Sequence, residues 1–100
     1  MAQLGGIYQD GRLIAAQVQM ARREEPGTFN PRWRIQAIIP RPIANRIATE
    51  LLRHPIYQIE FEGQTDEYFV AGDAIPISAN PSLLQQDFLS LNPSSRYNSD

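Results

Sequence analysis

The stretch that most constrains this chain is RWRIQAII, residues 32 to 39, which alternates without a break. Trp33, Ile35, Ala37 and Ile39 point one way, and Arg32, Arg34 and Gln36 point the other. Period-two alternation of this kind marks a strand with one buried face. The strand runs into Pro40-Arg41-Pro42, and Pro42 suits a first helical turn, where its missing N–H costs nothing. Ile43, Ile47 and Leu51 then recur at i, i+4 and i+8, and Ala44, Ala48 and Leu52 widen the stripe. Arg53 and His54 fall in the last turn, where cations meet the negative end of the helix dipole. Pro55 disfavours helical geometry at His54 and ends the helix there. A helix of about a dozen residues is marginal alone, so its stripe docks on a sheet, over Trp33 and the nearby isoleucines.

The flanking segments supply more strands. GIYQDGRLIAAQVQM reads as a hairpin turning at Asp10-Gly11, a dipeptide favoured where both central residues need positive φ. Its second arm places Ile14, Ala16, Val18 and Met20 on one face and Ala15, Gln17 and Gln19 on the other. RREEPGTFNP breaks the pattern with Pro26-Gly27 and Asn30-Pro31 and reads as an exposed loop. Tyr57, Ile59 and Phe61 alternate with Gln58, Glu60 and Glu62. A turn bracketed by Gly63 and Asp66 follows, and a return strand runs from about residue 67 to 71. DAIPIS adds a short edge strand, because Pro76 can sit only where no ladder donor is needed. In NPSLLQQDFLSL, Asn80 is a helix cap, Pro81 a first-turn residue, and Leu84, Phe88 and Leu91 one helical face.

The expected fold is therefore α+β in the order β-β-β-α-β-β. It is a single small domain with an antiparallel or mixed sheet of about five strands. One helix covers one face, and a short C-terminal helix completes it. The strands flanking the first helix either pair in parallel or are separated in the sheet. The domain spans residues 1 to 91, and residues 92 to 100 form a frayed tail.

Composition removes several functions. With 42% hydrophobic and 20% charged residues the chain is too apolar for disorder. No apolar run reaches the roughly 18 residues of a membrane span, and MAQLGG has neither the basic patch nor the apolar core of an export signal. The cytoplasm is the default expectation. Cysteine is absent and His54 is the single histidine, which excludes thiol nucleophiles and multi-histidine metal sites. Gly5-Gly6 has no GK[ST] after it and is no phosphate loop, and no GxSxG is present. Glu60 and Glu62 sit two apart on one strand, roughly 7 Å between side-chain origins. Nothing in the sequence builds a pocket around them, so a solvated sheet face is expected rather than acid–base catalysis. No enzyme, no metal and no cofactor are expected.

All nine basic residues are arginine, and they are unevenly placed. Residues 12 to 53 hold eight arginines against Glu24, Glu25 and Glu50; residues 54 to 100 hold seven acids against Arg96. Such halves pair internally, with a neighbouring copy, or with a charged partner, and internal pairing is the first expectation. The outward face expected from the alternation carries Gln17, Gln19, Arg32, Arg34, Gln36, Gln58, Glu60 and Glu62, and binds a protein partner or a second copy. Single-stranded nucleic acid is the alternative partner, through Arg22, Arg23, Arg32, Arg34 and Arg41 near Phe29 and Trp33. Against it, alternation turns Trp33 away from Arg32 and Arg34, and the pI of about 5.3 gives phosphate binding little net driving force.

Overall fold

A computed structural model of the protein describes residues 3 to 27 and 30 to 94. Seven strands and one helix follow one another as β1 (Gln3–Gln9), β2 (Arg12–Glu25), β3 (Arg32–Pro40), α1 (Arg41–Glu50), β4 (Ile56–Phe61), β5 (Gln64–Val70), β6 (Ile75–Ile77) and β7 (Asn80–Pro93). Hydrogen bonding orders the strands β3-β2-β1-β4-β5-β7-β6, and β3 pairs again with β7. Six strands thus close into an antiparallel barrel, with β6 added outside the ring. The open five-stranded α+β sheet expected from the sequence is wrong, and so is its C-terminal helix.

The error lies in residues 81 to 91. Leu84, Phe88 and Leu91 have helical spacing, yet the segment is a strand whose inward residues are Leu84, Gln86, Phe88 and Ser90. Two of those four are polar, so no apolar alternation is visible in the sequence. Their polarity is met internally: Gln86 Nε2 donates to Gly72 O at 2.9 Å, and Ser90 Oγ accepts from Trp33 N at 3.0 Å. Asn80 accepts from Ser82 N at 3.2 Å, a local turn rather than a helix cap. β7 continues through Asn92 and Pro93, and Ser94 is buried, so residues 92 to 94 belong to the folded domain. Residues 95 to 100, and Phe29, lie outside the described residues.

Both tight hairpins use two-residue turns with positive φ: Asp10 and Gly11 at 51° and 80°, Glu62 and Gly63 at 54° and 78°. The first was expected. The second turns at Glu62 and Gly63 rather than between Gly63 and Asp66, so Glu62 leaves the strand and β5 begins at Gln64 instead of about residue 67. β2 also differs from expectation. It runs through Glu25, four residues into the segment expected as a loop, and has register shifts against β1 on either side of Ile7. Gln17 sits at φ 53°, the alternation resets, and Ala16 faces out while Val18 and Met20 stay in. Such bulges bend a long strand, and here they let the first half of β2 serve β1 and the second half serve β3.

In a six-membered ring β3 and β4 stand three places apart either way round, on opposite sides. The helix that joins them, about 15 Å long by rise per residue, therefore lies across one end of the barrel. It buries Ala44 and Ile47 and packs on β3 and β7. Glu50 is its last residue, and a turn follows, so Leu51 and Leu52 are exposed and Arg53 and His54 lie outside the helix. The barrel axis is filled by Ile7, Met20, Ile35, Ile39, Tyr57, Ile59, Tyr68 and Phe88, all fully buried. Tyr57 meets Phe88 edge-on at 6.2 Å. Small barrels fill in this way because their bore admits only side chains.

Tyr57 carries the one unsettled group in this core. Its hydroxyl is buried and has no hydrogen-bond partner among the described residues. Loss of water, and next the nearby Glu50, push the phenol above its ordinary value, with Arg46 opposing. A raised folded value means that the neutral phenol's contribution is complete below about pH 10 and is lost as pH rises through the folded value. Tyr57→Phe is expected to stabilise the protein by about 1 kcal/mol at neutral pH, since an unpaired buried hydroxyl costs that order. It also flattens the alkaline loss of stability. Denaturant titrations at pH 7 and above pH 10 measure both effects, and a destabilised variant would show that the hydroxyl has a partner.

Candidate functional site

With the bore filled, chemistry is left to the outer wall and the two ends. Among the described residues no group of three or more His, Asp or Glu is gathered as for a metal ion. The outward residues expected to form one face are distributed around the ring. Gln17 and Gln19 lie exposed on β2, Arg32, Arg34 and Gln36 are half-buried on β3, and half-buried Gln58 and exposed Glu60 are on β4, which is opposite β3. Glu62 is in the β4–β5 turn. No single sheet face carries all eight.

The arginines are largely engaged by their own chain. Arg34 donates to Glu25 and, at 3.0 Å, to Asp87 Oδ2. The Arg34 guanidinium bonded to Glu25 is the main reason that carboxyl is held below its usual range. Arg32 donates to the carbonyls of Ser90 (2.9 Å) and Leu91, and Arg41 to that of Pro81 at 2.7 Å. Arg46 donates to Gln9 Oε1 at 3.2 Å, while Gln9 donates to Glu50 at 3.2 Å. Internal pairing across the charge-split halves is realised in Arg22–Glu62 and Arg34–Asp87.

Arg22 closes the end of the barrel away from α1. It pairs in register with Ile35, so its side chain turns inward. Its guanidinium lies 4.3 Å from the Trp33 ring centre and 5.0 Å from that of Phe61, and Glu62 Oε1 takes its hydrogen bond at 3.2 Å. The register of β3 is as expected, for Ile35, Ala37 and Ile39 are fully buried and Trp33 packs against the core. The alternation could not reveal that an arginine from β2 covers the indole. Nor does Trp33 lie beneath the helix, which covers the other end.

Two adjoining depressions of the outer wall lie on the β1–β4–β5 side, and a larger one without charged residues, about 470 Å³, lies where β2 and β3 meet α1, lined by Ala15, Gln17, Gln19, Ile38 and Ile43 among others. One depression of about 320 Å³ is lined by Leu4, Gly6, Tyr8, Leu13, Glu60 and Glu62 among others. A second, of about 430 Å³, shares Tyr8 and adds Asp10, Gln58, Thr65 and Glu67. The strands explain the grouping: Leu13, Tyr8, Gln58 and Glu67 are successive cross-strand partners on β2, β1, β4 and β5. Gly5 lets β1 pass close to β4, because a Cβ there would stand 2.4 Å from Glu60 O. Gly6 leaves open the space between Tyr8, Leu13 and Glu60, where a Cβ would meet Tyr8 at 3.2 Å. Leu4 is 63% exposed and Leu13 53%.

Four carboxylates and no basic residue line the two depressions. Only Glu62 is paired, with Arg22 and Gln3. Gln58 Oε1 adds a buried acceptor without a donor. The site is apolar and aromatic at its centre and acceptor-rich at its rim, which suits a cation carried beside an apolar group. Gln58, Glu60 and Glu62 were among the expected binding residues. Leu4, Gly6, Tyr8, Leu13 and Glu67 were not, although paired glycines inside a strand signal a close backbone approach or an open surface. Comparison with family models, curated proteins and solved structures found no match. No helix among the described residues is long and apolar enough to cross a membrane.

The Arg22 stack gives a direct test of how this end of the barrel is held. Arg22→Lys keeps the charge and removes the planar fork that covers two rings. It is expected to cost about 1 kcal/mol and to increase quenching of Trp33 fluorescence by acrylamide. Unchanged quenching and stability would mean that the ring contacts contribute nothing.

Proposed function

We propose that the protein is a non-enzymatic binding module for protein, with its recognition surface on the β1–β4–β5 wall around Tyr8. One observation carries this reading. The depressions that share Tyr8 join two exposed leucines and an aromatic ring to carboxylates, with no basic residue among the described residues that line them. Isolated exposed leucines are ordinary, but a concave apolar patch rimmed by unpaired charge marks a contact surface. The filled bore leaves the outer wall as the surface on which a partner can be met.

Nucleic acid is the weaker alternative. Of its five expected contacts, Arg22, Arg32, Arg34 and Arg41 already donate to their own chain, leaving Arg23 exposed on β2. The depressions around Tyr8 are acidic and would repel phosphate.

The proposal is tested by comparing wild-type protein with Tyr8→Ala and Glu60→Arg, both outside the core, as baits in affinity capture. The expected result is a protein retained at least tenfold better by wild type than by either variant. Equal retention by all three baits would contradict the assignment of the surface. Tight oligonucleotide binding with a steep salt dependence would favour nucleic acid instead.

A further inference from the structure

The chain presents a second surface whose chemistry is the converse of the groove. After α1 the backbone turns sharply, with Arg53 N and His54 N both donating to Glu50 O, at 3.0 and 2.7 Å. These bonds hold a knuckle that presents Leu52, 98% exposed, beside the exposed Arg53. Leu52 is the most exposed large hydrophobic residue described, and Arg53 has no carboxylate partner among the described residues. An apolar side chain next to a free guanidinium is what the groove lacks, and leucines beside an unpaired carboxylate are what the knuckle lacks.

The knuckle lies beyond one end of β1, and the groove runs from Tyr8 and Leu13 beside that end to Leu4 and Glu62 at the other. The knuckle follows Glu50, which is bonded to Gln9 at one end of β1. The first depression reaches Glu62, which is bonded to Gln3 at the other end. Six residue steps of strand separate those ends by roughly 20 Å. The Leu4 and Glu60 part of the groove lies along the wall from the knuckle, where the next copy can reach it. The wall is also divided by charge: β4 and β5 with their turn carry Glu60, Glu62, Asp66 and Glu67, while β2 and β3 on the far side carry five of the nine arginines.

Building on the binding-module reading, we propose that the protein associates with itself head to tail. Leu52 and Arg53 of one copy seat against Leu4, Tyr8, Leu13 and Glu60 of the next. Because the two surfaces differ, each copy keeps one of each free, and the contact propagates into a ring or a filament according to its rotation. Charge supplies orientation and salt sensitivity, and the leucines supply the burial.

Sedimentation of the purified chain over a concentration series, at low and high salt, tests this. Wild type is expected to gain mass with concentration, and to need at least tenfold more protein for the same mass at high salt. Arg53→Glu and Glu60→Arg are each expected to weaken association at least tenfold. An equimolar mixture of the two, which restores opposite charges across every contact, associates again. Circular dichroism confirms that the variants fold, and Leu52→Ser with Leu13→Ser replaces the pair if one does not. A wild-type chain that stays monomeric throughout overturns the proposal, as does association that neither charge reversal weakens, the mark of pairing through a strand edge such as β6. Capture of another protein by wild type but not by Glu60→Arg would then leave the binding-module reading standing while self-docking fails.

Discussion

The pairing of β3 with β7 is the interaction on which the rest of this structure depends. It runs from Arg32–Pro93 to Pro40–Leu83 and joins the two strands that would otherwise edge an open sheet. Without it, Ile35, Ala37 and Ile39 would have no opposite wall, and the apolar run of β3 would face water along an unpaired edge. With it, Phe88 comes opposite Ile35, and Leu84 opposite Ile39, inside a closed ring. Closure also fixes where the helix can go. Because β3 and β4 then stand across the ring from each other, α1 must cross an end of the barrel rather than lie on a sheet face.

A closed and filled barrel leaves its two ends and its wall for everything else. One end is covered by Ala44 and Ile47 of the helix, the other by Arg22 stacked over Trp33 and Phe61. The wall divides by charge, since the arginine-rich strands and the acid-rich hairpin fall on opposite sides. That division is a consequence of strand order, and it converts a lopsided sequence into a polar particle. The Tyr8 groove and the Leu52 knuckle then sit where the chain has carboxylates and guanidiniums to spare.

Much of this was legible in the sequence wherever one side chain's neighbours were set locally. The alternation of residues 32 to 39, the Asp10-Gly11 turn, the proline-started helix and the edge strand around Pro76 are each fixed by a few adjacent residues. What was not legible depended on partners far along the chain. Gln86 and Ser90 are inward residues only because Gly72 and Trp33 satisfy them, so β7 carried no apolar alternation and imitated a helix. The bulge at Gln17 shifts faces within a strand whose composition gives no warning. Leu51 and Leu52 extend the helical stripe in sequence, yet Glu50 ends the helix and they fall in the turn. The site was half visible for the same reason: Gln58 and Glu60 follow from local alternation, whereas Tyr8, Leu13 and Glu67 join them only through cross-strand register.

Amide hydrogen exchange resolved by residue tests barrel closure most directly. If β3 and β7 are paired, hydrogen-bonded amides within residues 34 to 39 and 84 to 89 exchange together, among the slowest in the protein, at a rate set by global unfolding. Nuclear Overhauser contacts between Ala37 and Gln86 would accompany that protection. Fast exchange over residues 83 to 91, or the sequential contacts of a helix there, would contradict the closed barrel and everything derived from it.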